Sequence, residues 1–171
     1  MTEASYAGAP AQPFERDASH WLYKLSPEEW IQAALTELRR AEAALGSAQL
    51  PAAYAGLKRA AGMALNGALI VEPREWGRSY VEHLAALAQD ETAPEAVREA
   101  ASRVAGLKAS PGEVVSLRTP KTEERWLEAA KTVMAHAYAV VHRQQRAETQ
   151  KPRGNDSGGD APAAPEAEGN G

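Results

Sequence analysis

The stretch SPEEWIQAALTELRRAEAALG, residues 26–46, decides how the rest of the chain is read. Ser26 is a good N-cap, Pro27 suits the first helical position, and Glu29 stands where a capping box closes. Ile31, Ala34, Leu35, Leu38, Ala41 and Leu45 then recur at helical spacing and make one apolar stripe. Gly46 is the expected stop. One amphipathic helix needs partners for its stripe, so the neighbouring segments are expected to supply them.

Downstream, a second helix is expected from about Pro51 to Leu69, with Tyr54, Leu57, Ala61, Ala64, Leu65, Ala68 and Leu69 on its buried side. Gly56, Gly62 and Gly67 each weaken an isolated helix by about 1 kcal/mol relative to alanine. Three in one helix suggest close approach of another backbone, and they are candidate interface residues. A loop at 70–77 holds Pro73 and Trp76. A short helix follows across Tyr80, Val81, Leu84, Leu87 and Ala88, and Thr92-Ala93-Pro94-Glu95 opens another. The segment 108–120, with Pro111, Gly112 and Pro120, reads as a break with a small apolar run at Val114-Val115. The last helix begins near Pro120 or Thr122 and carries Trp126, Leu127, Ala130, Val133, Met134, Ala137, Val140 and Val141 before fading at 143–146. Alternating strand patterns are nearly absent. The expected fold is all-α: an antiparallel up-and-down bundle of four to five helices.

Upstream, residues 1–25 read as a flexible lead in which His20, Trp21, Leu22, Tyr23 and Leu25 form a short amphipathic segment able to fold back. The bundle occupies 26–146. Residues 147–171 lack Leu, Ile, Val, Phe, Trp and Tyr and cannot bury enough apolar surface to offset ordering entropy, so a disordered acidic tail is expected. The chain's net charge is −4, of which the tail carries −3. No global basic excess of the kind usual in a dedicated nucleic-acid binder remains. The absence of cysteine excludes disulfides, thiolate nucleophiles and cysteine-based metal sites. The start, MTEASYAGAPAQPFERD, lacks a basic segment followed by an apolar core, and no apolar run reaches about 18 residues, so the expected location is the cytoplasm without membrane contact.

The residues that suggest chemistry are few. Arg78 and His83, in RSYVEH, could serve RNA cleavage, the arginine steadying phosphate charge and the histidine moving a proton. Five residues apart, they lie about 140° apart on a helix and converge only with help from a loop or a second subunit. The commoner reading is structural, with Arg78 at a helix start and His83 at the core edge beside Leu84. Lys131 and His136 repeat the spacing on the last helix, where lysine lacks the bidentate fork of arginine. Arg39, Arg40, Lys58 and Arg59 could form a basic strip for nucleic acid; a solvated polar face is the commoner reading. Neither a metal-ligand cluster, a phosphate loop nor a nucleophile elbow is present, and no metal or cofactor is expected.

Four segments together resemble a known family. WIQAALTELRRAEAAL is similar to the first helix of HEPN (higher eukaryote and prokaryote nucleotide-binding) domains. AAYAGLKRAAGMALNGALI is similar to their second helix, GRSYVEHLAALAQ to the histidine-containing loop and short helix, and RTPKTEERWLEAAKTVMAHAYAVV to the closing helix. The resemblance covers about residues 26–143. It implies a bundle of four or five helices that often dimerises. Some such domains are ribonucleases of toxin–antitoxin or defence systems. Others are inactive companions of nucleotidyltransferases, or nucleotide-binding and interaction modules. The nuclease branch carries Arg-x4-6-His on the last helix, where this chain has only Lys131 and His136. The departure favours a non-catalytic module, and the expected function classes are, in order, a dimeric interaction module with a nucleotidyltransferase or antitoxin partner, a metal-independent ribonuclease, and a nucleic-acid adaptor binding RNA.

Overall fold

A computed structural model describes residues 19–108 and 120–149. The readings of 1–18, of the Val114-Val115 run and of the tail beyond Thr149 fall outside them. Five α-helices and one short 3-10 turn make up the described chain, with no strand among the described residues. The helices are α1 (Pro27–Gly46), α2 (Leu50–Val71), α3 (Tyr80–Gln89), α4 (Glu95–Ala105) and α5 (Pro120–Thr149). The architecture is the expected all-α bundle.

α1 starts as its sequence dictates. The Glu29 backbone N–H donates to Ser26 Oγ at 3.2 Å, and the Ser26 N–H donates to the Glu29 carboxylate at 2.7 Å, which closes the capping box. Its buried side runs Trp30, Ile31, Ala34, Glu37, Leu38 and Ala41. The stop lies two residues later than the glycine that signals it. Gly46 remains helical, and the reversal is made by Ala48, whose φ is 56°. The Gln49 N–H donates to Ala44 O and the Ala48 N–H to Leu45 O, the paired bonds of a Schellman ending. An alanine in the left-handed region costs about 1–2 kcal/mol that glycine does not. Ala48→Gly is therefore expected to raise stability by about 1 kcal/mol, read as a higher urea midpoint at unchanged slope.

α2 is the hub. It touches the 3-10 turn and every other helix, and fourteen of its 22 residues are buried. α2 and α5 form a core pair, with Ala130, Val133, Ala137 and Val141 buried and Trp126 edge-on to Tyr54 at 4.9 Å. The more extensive pairing is α1 with α2. α5 continues to Thr149, past the polar residues where its fading was expected. The 3-10 turn, Trp21–Lys24, folds back as its amphipathic pattern suggests, and Trp30 Nε1–H donates to the Leu22 carbonyl at 2.8 Å. No helix among the described residues is long and apolar enough to cross a membrane.

Candidate functional site

The three glycines of α2 occupy contacts within the chain. A Cβ on Gly56 would lie 2.9 Å from the Ala41 Cβ, and one on Gly67 would lie 2.7 Å from the Pro27 carbonyl oxygen. Both are places where α1 crosses α2 closely. A Cβ on Gly62 would fall 2.4 Å from the Tyr80 Cβ at the start of α3. A close neighbour stands at each glycine, backbone at Gly67 and side-chain atoms first at Gly56 and Gly62. That neighbour is the chain's own α1 or α3, and all three glycines are buried rather than offered to a partner.

The pair Arg78 and His83 does not converge. His83 is fully buried, with Nε2 3.1 Å from the Gly77 carbonyl and its ring stacked against Trp21 at 6.2 Å. Burial lowers its pKa, opposed by the Gly77 carbonyl and the Glu82 charge. Arg78 is exposed at the turn before α3, where its backbone N–H donates to the Glu82 carboxylate. Glu82 also closes a second capping box with Ser79, and those bonds hold its carboxyl below the usual range. The local sequence thus builds a helix start, with the histidine beneath it.

The pair Lys131 and His136 diverges too. Lys131 Nζ sits 3.2 Å from the Glu42 carboxylate, tying α5 to α1, and this contact raises its pKa. His136 faces the other way, into a cleft between the end of α2, the α3–α4 turn and α5. The proposed basic strip is divided as well. Arg59 Nε–H donates to Glu37 at 2.8 Å and Arg40 lies 3.6 Å from the same carboxylate, which is only 7% exposed. Lys58 is half-buried, and its pKa is lowered by that burial and by the charge of Lys108. Arg39 remains an exposed cation on α1. A polar face partly neutralised by Glu37 is what these four residues make.

The His136 cleft is the feature with convergent chemistry. Its volume is about 410 Å³, within the range of small-molecule sites. Leu65, Ala68 and Val140 line its apolar part, and Glu72, Arg74, Trp76, Asp90 and Arg143 its polar part. Burial lowers the His136 pKa, and so does the Arg143 charge, against smaller opposing effects of Glu72 and Asp90. The neutral imidazole is therefore favoured near pH 7. Asp90 accepts hydrogen bonds from the Thr92 N–H and hydroxyl at 2.9 and 2.6 Å, which fix the α3–α4 turn and lower its pKa. Arg74 spans Glu72 and Asp90 at 4.0 Å from each.

Of the candidate site residues named from sequence, only His136 lines this cleft. Arg143 carried a readable signal, because a residue seven positions after His136 falls on the same side of a helix. Glu72, Arg74 and Asp90 carried none, since their convergence depends on how two loops meet α5. Among the described residues no group of three or more His, Asp or Glu is placed to hold a metal ion. No protein-family model matches the chain, and neither a curated protein nor a solved structure matches it.

Proposed function

We propose that the chain is a non-catalytic, HEPN-like helical interaction module of the cytoplasm that pairs with a second copy of itself. The observation that carries this reading is Tyr138. It is 51% exposed on the outer side of α5, with its ring against His142 at 3.9 Å. Ala135 and Ala139 beside it are exposed too. A tyrosine buries some 150–250 Å² when covered, and tyrosine is enriched at interfaces. The same face carries Glu124 and Glu128 before Tyr138 and His142 and Arg146 after it. A two-fold axis pairing two α5 helices antiparallel sets the acids of one copy against the bases of the other, as an isologous contact requires.

The divergence of both histidine pairs also supports the non-catalytic reading over the ribonuclease. The family resemblance adds two further partner classes, a nucleotidyltransferase and an antitoxin, and a nucleotide or RNA as ligand. Light scattering on the purified chain is expected to give twice 18.3 kDa, and Tyr138→Glu is expected to halve that mass while leaving the helical circular dichroism unchanged. A strict monomer at high concentration rejects the pairing. Cleavage of RNA in EDTA that His83→Ala or His136→Ala abolishes rejects the non-catalytic reading. RNA binding that weakens steeply with salt favours the adaptor instead.

A further inference from the structure

α5 has an outer stripe that its own bundle leaves bare. Ala130, Val133, Ala137 and Val140 are buried on its inner side. At about 100° per residue, the line opposite them runs through Glu124, Glu128, Ala135, Ala139, His142 and Arg146. All of these are exposed except the half-buried His142. Ala135 stands midway along the stripe. Eleven residues separate it from Glu124 and from Arg146, and seven separate it from Glu128 and from His142. Each interval is within about 20° of whole turns, so the stripe keeps to one side of the helix for about 33 Å. The acids stand before Ala135 and the bases after it, at matching distances. Glu124 and Arg146 have no ion pair with a described residue. Glu128 reaches Lys131 at 3.5 Å and is otherwise open to solvent.

We infer that two copies pair along this stripe with their two-fold axis at Ala135, so that Glu124 of one copy faces Arg146 of the other and Glu128 faces His142. The inference rests on the pairing reading and fixes its register and its contacts. Ala135 and Ala139 are small, so the two helix backbones can approach closely at the crossing. Tyr138 and Lys131 lie on one flank of the stripe, about 60° and 40° from Ala135, and stand nearly level across the axis. The ring of each copy therefore lies along the Lys131 stem of the other. Exposed ion pairs add little energy, but they choose between arrangements. A parallel pair sets acids beside acids and bases beside bases. Any other antiparallel register keeps at most one of the two matches.

The chain has no cysteine, so a single introduced thiol reports on its own position. Ala135→Cys brings two thiols together at the axis. Under mild oxidation of the full chain it is expected to form a covalent dimer at least about tenfold faster than Glu124→Cys, whose two thiols stand about 33 Å apart in the pair. Glu124→Cys mixed with Arg146→Cys should cross-link faster than either alone. Charge reversal gives an independent measure. Glu124→Arg sets arginine against arginine at both ends of the pair and should weaken dimerisation about tenfold, and Glu124→Arg/Arg146→Glu should restore it. All three positions are exposed, so the fold is expected to survive, and helical circular dichroism checks it. A wild-type dimer in which Ala135→Cys cross-links no faster than Glu124→Cys overturns this register and leaves the pairing reading standing. A strict monomer at high concentration rejects both.

Discussion

Alanine at Gly62 or at Gly67 is expected to lower the stability of the bundle by about 1–3 kcal/mol, even though alanine is the better helix former. Intrinsic propensity alone predicts a gain of about 1 kcal/mol at each position. The packing reverses that sign. At Gly67 the new methyl would meet the Pro27 carbonyl oxygen at 2.7 Å, a backbone atom that moves only if the start of α1 moves. At Gly62 it would meet the Tyr80 Cβ and Cγ at 2.4 and 2.5 Å, and no rotamer change removes a Cβ contact. α3 must then shift, and with it the turn above His83. Gly46 is the control: a Cβ there meets nothing within 4 Å, so Gly46→Ala is expected to be neutral or to gain up to about 1 kcal/mol. Thermal melts separate the cases, since each kcal/mol moves Tm by about 2–4 °C in a chain of this length. Three substitutions that all stabilise would show that α1 and α3 do not approach α2 this closely.

The helices were legible in the sequence because their signals are local. Ser26, Pro27 and Glu29 form a cap within four residues, and Ser79 with Glu82 does so again. The stripes of α1 and α5 lie within single helices, so periodicity alone finds them. The ending of α1 was less legible, because Ala48 takes a backbone conformation that glycine usually signals. Gly56, Gly62 and Gly67 announced close packing, yet the sequence could not say whether the neighbour belonged to the same chain. The candidate site was mostly illegible. Spacing paired Lys131 with His136, but five residues turn a helix by about 140°, and the two side chains went to opposite neighbours, Glu42 and the cleft. His83 looked like a titratable candidate, while its contacts with Gly77 and Trp21 are tertiary and make it part of the core.

Acidification is expected to loosen the fold through that same histidine. The His83 side chain is fully buried, and its Nδ1 has no hydrogen-bond partner among the described residues. Protonation would place a positive charge under Trp21, out of contact with water. Burial therefore keeps the folded pKa below the ordinary value near 6.5 that the unfolded chain regains. In the window between the two values, the unfolded chain binds the extra proton. The stability that neutral His83 contributes is complete above about pH 6.5 and declines as pH falls below it, by at most about 1.4 kcal/mol per pH unit for one group. His136 is shifted in the same direction and adds to the slope. The lowered carboxyls of Glu82 and Asp90 act only at lower pH, below the ordinary carboxylate range. Urea midpoints at pH 7.5, 6.5 and 5.5 should thus fall in the wild type. His83→Gln, which keeps a polar group of similar reach but does not titrate, should be less stable at pH 7.5 and show a shallower decline, and the His83→Gln/His136→Gln double variant should be nearly flat. A wild-type midpoint that holds constant down to pH 5.5 would mean that the Trp21 turn does not seal His83 in solution.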